Sequence, residues 1–223
     1  MSLNKTRRYS RHTYGDNGAL GHKNILSVSF VATDLGRPSA AGAASVHAAI
    51  TGGASAVTAV TTGITQPDVP RNLYITPGGT TTDVKGMDIT VTGTNVEGKT
   101  ITETFTFSAN ATAATVGAKA FKTVTSISIP AQDGAGATFA IGRGAKIGIG
   151  MRNIASMPIE VMTNTAGVEA IEAAGASALS ATVVESNTVT TTTALDGAVG
   201  FRVYVLNYKW AINPTNSTPD YGV

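Results

Sequence analysis

The chain has 223 residues, room for one large or two small domains, and its formal net charge of +2 with a pI near 8.9 argues against a surface built as a whole for nucleic acid or membrane. Charged residues make up 13% and aromatics 6%, while glycine and threonine are abundant and much of the 42% hydrophobic share is alanine, a composition suited to thin strand layers rather than a wide core. The lack of cysteine excludes a disulfide framework and thiolate metal sites, leaving packing to hold the fold and the redox compartment open.

Residues 1–24 form a basic N-terminal arm: Lys5, Arg7, Arg8, Arg11 and Lys23 stand against one acid, Asp16. No apolar run follows them, so the stretch does not read as a secretory signal, and nowhere does an apolar run approach the ~20 residues of a membrane span. Synthesis in the cytoplasm is expected. The arm reads either as a segment that orders on a partner, with Lys5, Arg7, Arg8 and Arg11 as candidate partner-binding residues, or as a solvated tail.

A β-rich domain is expected over 25–212. ILSVSFVAT (25–33) alternates Ile25, Ser27 and Ser29 with Leu26, Val28 and Phe30, the period of a strand. The alanine-rich stretch after it has start signals for a short helix at Pro38 and Ser39 and stop signals at Gly52 and Gly53, although a loop has the same letters. VTAVTTGI and RNLYIT (71–76) read as strands separated by the QPDVP turn, whose prolines oppose regular pairing. GMDITVTG and KTITETFTF read as a hairpin across Thr94 to Gly98. AFKTVTSISIP (120–130), ATFAIG (137–142), AKIGIGM (145–151) and PIEVMTN (158–164) continue the pattern.

AGVEAIEAAGASAL (166–179) offers a helical stripe through Val168, Ile171 and Leu179 that Gly175 interrupts, so a short helix and a loop both stay open. SATVVESNTVTTTT reads as a strand pair. LDGAVGFRVYVLNYKWAI (195–212) places an Asp-Gly turn before the longest strand, apolar on both faces and hence expected to be buried on both. Residues 213–223 are a C-terminal tail. Turn-bounded strands every eight to twelve residues give an all-β expectation: an antiparallel sandwich or barrel-like domain with an extended N-terminal arm and one or two short helices.

Little in the chain invites catalysis. His12, His22 and His47 lack metal-ligand spacing, so no metal or cofactor is expected. Glu160, Glu169, Glu172 and Glu185 are the acids in which a glycosidase pair would be sought, but no aromatic platform accompanies them, and they read as solvated faces. IGRGAKIGIG (141–150) lacks the Gly-Lys-Ser/Thr ending of a phosphate loop and has strand alternation; close approach of backbones accounts for its glycines. No Gly-x-Ser-x-Gly elbow is present. Three Asn-x-Thr matches, at Asn4, Asn110 and Asn216, have no signal peptide beside them and read as chance. In KTITETFTF, Glu103 shares a face with Ile101, Phe105 and Phe107, which requires either a strand edge where the carboxylate reaches solvent or a paired cation such as a lysine or arginine on a neighbour.

Five phrases occur in an order that resembles virion structural proteins of tailed bacteriophages: ITQPDVPRNLYIT (64–76), DITVTGTNVEGKTITETFTF (88–107), AKAFKTVTSISIP (118–130), IGRGAKIGIG (141–150) and ALDGAVGFRVYVLNY (194–208). The resemblance covers residues ~57–210 and implies a non-enzymatic β-rich particle protein, first among them a capsid decoration or cement protein in the virion. It implies as partners the major capsid protein lattice and further copies of the chain, commonly as a trimer, with no membrane and no direct nucleic-acid role. A tail-tube or other tail protein is the alternative. A carbohydrate-binding adhesin module is a second, for which Tyr9, Tyr14, Tyr74 and Trp210 are too dispersed to form a platform, and a glycan-cleaving enzyme a third that lacks its carboxylate pair.

Overall fold

The computed structural model describes residues 7–14, 25–150, 159–166, 168–172, 177–178, 180 and 182–210. Their strands are, in chain order, β1 (Arg7–Tyr14), β2 (Ile25–Gly36), β3 (Gly42–Thr51), β4 (Thr58–Val60), β5 (Arg71–Gly79), β6 (Met87–Thr94), β7 (Thr100–Phe107), β8 (Thr115–Val116) and β9 (Thr123–Ile129). Then come β10 (Ala137–Gly148), β11 (Ile159–Thr165), β12 (Val168–Glu172), β13 (Ser177–Ala178), β14 (Thr188–Thr190) and β15 (Gly200–Trp210). The fold is all-β, built from antiparallel sheets, and sandwich-like.

Strict alternation makes the first layer. In β6, Ile89 and Val91 are buried while Asp88 is exposed; in β7, Ile101, Phe105 and Phe107 are buried while every threonine is exposed. These strands pair from Met87↔Phe107 to Thr94↔Thr100, the expected hairpin, and with β9 and β4 they form a four-stranded sheet in the order β4-β9-β6-β7. Its inner face packs on the sheet β13-β14-β10-β5-β8, through Leu73 and Ile75 of β5 and Phe139 and Ile141 of β10. Phe107 and Phe139 stand 6.0 Å apart, ring to ring. Each fully buried isoleucine or phenylalanine contributes about 1.5–3 kcal/mol.

β10 is long enough to serve two cores. Past Arg143 its register against β5 shifts, and Ile147, with Ile149 beyond the strand, joins a second cluster containing Val189, Leu195, Leu35, Val161, Phe201 and Val203. Leu35, Val161, Phe201 and Val203 belong to the third sheet, ordered β1-β2-β15-β11-β12. Phe201 and Val203 are buried and Arg202 and Tyr204 half-buried, so this part of β15 presents only one face to the core.

Three expectations need correction. Residues 42–51 are a strand, not a helix: β3 covers the edge of β10 that β14, only three residues long, leaves unpaired, and it buries Val46 and Ile50. Pairing outweighs alanine's helix propensity there. Residues 159–172 are a hairpin that turns at Ala166 (φ 52°), so Val168 and Ile171 form no helical stripe and are 71% and 72% exposed. The helical turns among the described residues are the three-residue 3-10 segments Thr81–Asp83 and Val184–Ser186, and the second replaces one strand of the pair expected in 180–193. Leu179 and the tail 213–223 lie outside the described residues.

Candidate functional site

The PDVPRN turn carries a side chain that is completely buried. Arg71 opens β5 with 0% exposure; its Nε donates to the Gly144 carbonyl (2.8 Å), and Nη1 donates to the Ser39 carbonyl (2.6 Å) and to Asp68 Oδ1 (3.3 Å). Asp68 also accepts from the Ser39 amide (2.6 Å). Burial acts to raise the Asp68 carboxyl, but the Ser39 amide and the Arg71 charge outweigh it and hold the group below the ordinary aspartate value. The backbone of Arg71 bridges Phe121 in both directions, at 3.1 and 2.8 Å.

Asn72, also buried, fastens the next pair of segments. Its Nδ2 donates to the Gly117 carbonyl (2.9 Å) and its Oδ1 accepts from the Lys146 amide (2.9 Å). A β-carbon on Gly144 would overlap the Asn72 side chain, so the glycine of GRGAK is there for close approach, as its strand context suggests, and not to cradle phosphate.

Glu103 completes the cluster from the opposite sheet. β7 is the edge strand of the four-stranded sheet, but Glu103 does not turn its carboxylate out to solvent there as the edge expectation supposed, since Oε2 is buried. Its partners, however, are backbone amides: Oε1 accepts from Ala118 (2.6 Å) and Lys119 (3.2 Å), while Oε2 is buried and finds no hydrogen-bond partner among the described residues. Burial pushes the carboxyl above the usual glutamate value, against the opposing pull of the Ala118 and Lys119 amides and the Lys119 charge. Four of the five phrases quoted from the sequence thus meet in one polar knot: the Pro-Asp-x-Pro-Arg turn, the 88–107 hairpin, the Ala-Lys-Ala-Phe segment and the Gly-Arg-Gly-Ala-Lys stretch of β10.

Other acids are spent in the same way. Glu172, 6% exposed, accepts from the Thr192 hydroxyl, the Thr193 amide (2.5 Å) and the Thr193 hydroxyl (2.6 Å). Burial would raise its carboxyl, yet these bonds outweigh it and lower the group. The solvated reading of Glu172 is therefore incorrect, and nothing in AGVEAIE marks a partner twenty residues downstream. Glu185 Oε2 accepts from Asn95 Nδ2 (3.2 Å), and Asp83 holds the Gly136 amide (2.8 Å). The buried Arg71 was equally hidden in the sequence, where its only signal is a lone arginine after two turn prolines.

Among the described residues no three His, Cys, Asp or Glu side chains group as metal ligands. His47 is half-buried and donates from Nδ1 to the Ala48 carbonyl (2.7 Å). His12 lies on β1, and His22 outside the described residues. A cleft of about 440 Å³ opens between the β2–β3 connection and the PDVP turn, with Asp34, Arg37, Asp68 and Lys122 among its walls. Asp68 is already committed to Arg71 and Ser39, and Asp34 lies 4.0 Å from Arg202.

The candidate partner-binding residues Arg7, Arg8 and Arg11 fall on β1, at one edge of the five-stranded sheet, opposite Ala32, Val31 and Val28 of β2. Lys5 lies outside the described residues. No helix among the described residues is long and apolar enough to cross a membrane. No protein-family model matches the chain, and neither a curated protein nor a solved structure proves similar to it.

Proposed function

We propose that the chain is a non-enzymatic structural protein of a tailed-bacteriophage virion, which decorates and stabilises the capsid by binding neighbouring subunits through its basic N-terminal strand. The observation that carries the reading is the polar knot. The phrases by which the sequence resembles phage head proteins are the ones whose ionisable and amide side chains, Asp68, Arg71, Asn72 and Glu103, join segment to segment. Such residues maintain shape. A shell component present in many copies needs a stiff body and edges for its neighbours, and the basic strand at a sheet edge supplies one.

Electron microscopy of purified particles, with the chain located by a fused tag, tests the proposal directly. Density on the outer capsid surface is expected, together with loss of that density, in chains that still fold, when Arg7, Arg8 and Arg11 are replaced by glutamate. Density confined to the tail would move the chain to the tail-protein alternative, and absence from particles would overturn the proposal.

A further inference from the structure

The five-stranded sheet ends in two edges of opposite charge. At one stands β1, whose eight residues RRYSRHTY hold three arginines and no acid. At the other stands β12, VEAIE, with Glu169 and no base; its second glutamate, Glu172, is buried against Thr192 and Thr193. Their surroundings in sequence repeat the contrast: residues 1–24 hold five basic residues against Asp16, whereas residues 153–201 hold Glu160, Glu169, Glu172, Glu185 and Asp196 and not one lysine or arginine. The sheet path stops at both strands, so among the described residues neither outer edge has a partner. An unpaired edge offers a row of backbone donors and acceptors to any strand that fits it.

β12 also carries apolar side chains that its own fold does not cover. Val168 is 71% and Ile171 72% exposed, and these are the two most exposed large hydrophobic residues of the described chain. Soluble chains do not ordinarily place two such residues on an open strand edge without a covering partner.

We infer that copies of this chain join head to tail, with β1 of one copy adding to the β12 edge of the next. This deepens the structural-protein reading and rests on its premise of many copies, naming a second copy as the neighbour that the basic strand binds. Charge selects the pairing. A two-fold contact of β1 with β1 would set arginines against arginines, and one of β12 with β12 would bring Glu169 toward its own copy, whereas β1 on β12 brings opposite signs together. Topology is compatible. All four neighbouring pairs in the sheet are antiparallel, so its first and fifth strands run the same way, and a copy that continues the sheet with its faces preserved meets β12 as a parallel strand. Such a contact is heterologous: it closes into a ring when the rotation per copy divides a full turn, and otherwise grows into a filament. The five residues of β12 limit each ladder to roughly 17 Å, which suits assembly at high local concentration.

The test uses the purified full-length chain without particles, so that its failure is separable from a failure of the virion assignment. One variant disables the basic edge (Arg7→Glu, Arg8→Glu, Arg11→Glu) and another the acidic edge (Glu169→Lys, Ile171→Lys), with circular dichroism confirming that both fold. Sedimentation should show wild type associating beyond the dimer, more weakly by about tenfold on going from about 0.05 to 0.5 M salt. Each variant alone should be monomeric, and an equal mixture should stop at the dimer because each copy keeps one working edge. A basic-edge variant that still dimerises alone would establish a β12–β12 contact, and monomeric wild type at every concentration would sink the idea. Because the chain has no cysteine, a second measurement keeps the native charges. Ser10→Cys and Ala170→Cys in one chain should yield a ladder of multimers with a flexible bismaleimide, and the two single variants mixed should yield a dimer. Crosslinked dimers from one single variant alone would overturn the head-to-tail arrangement.

Discussion

Glu103 is the one ionisable residue on the buried side of β7, and its environment sets a sign for pH dependence. Burial raises its carboxyl above the 4.5 of an unperturbed glutamate, so on titration the unfolded chain ionises first. The stability this group contributes is complete below that value and is lost as pH climbs through the higher folded value. Glu103→Gln retains an oxygen for the Ala118 and Lys119 amides without the buried charge. It should be at least as stable as the parent near pH 7 and should flatten the urea-midpoint profile between about pH 4 and 7. Glu103→Ala leaves both amides unpaired and should cost about 1–3 kcal/mol. A glutamine variant as weak as the alanine variant would mean that the charge itself is needed.

Arg71 has the opposite logic. Arg71→Met would strand the Asp68 charge and the Ser39 and Gly144 carbonyls, for an expected loss of about 3–5 kcal/mol in chemical denaturation. Asp68, held below its ordinary 3.8, contributes stability above that value, and the contribution fades as pH falls through the folded value. The methionine variant should therefore lose part of the acid limb below about pH 4 that the parent shows. A variant within about 1 kcal/mol of wild type would show that the knot is dispensable.

Among the elements, those whose pattern is local were legible in the sequence. The β6–β7 hairpin follows from threonine alternating with apolar residues on both sides of a polar turn, and the two strands pair from Met87↔Phe107 to Thr94↔Thr100. β3 was not legible, because its cause lies ninety residues downstream, in the edge of β10 that it covers. The knot was half legible. Its turns can be read from proline and glycine, but which turn touches which is decided by the stacking of sheets. Gly93 shows how tight that stacking is. It sits in β6 where the register against β9 shifts, and a β-carbon there would overlap the Thr123 carbonyl and come within 2.8 Å of Phe121 Cδ1. Backbone and a fully buried ring cannot yield as a surface side chain can, so Gly93→Ala should cost about 2–4 kcal/mol, visible as a lowered melting temperature. A neutral substitution would require β6 and β9 to separate without consequence.

At the scale of the whole molecule, charge and core are segregated. Among the residues whose burial is described, both hydrophobic clusters draw their members from Leu35 onward, and the basic excess lies before residue 24. The sequence marks the leader as basic, yet composition does not reveal that its residues 7–14 extend a sheet, because eight residues with three arginines lack the apolar alternation of a buried strand. An edge strand needs only backbone complementarity along one side, and β2 provides it over eight consecutive pairs. Removal of residues 1–24 should then separate folding from assembly. The truncated chain keeps every described residue of both clusters, so urea unfolding should remain cooperative, with a midpoint close to that of the full chain and a slightly smaller slope for the surface no longer buried against β1. Self-association should disappear, since the strand that meets β12 is gone while the β12 edge remains. Loss of cooperative unfolding would make β1 part of the folding unit, and association undiminished by the deletion would place the contact between copies elsewhere on the molecule.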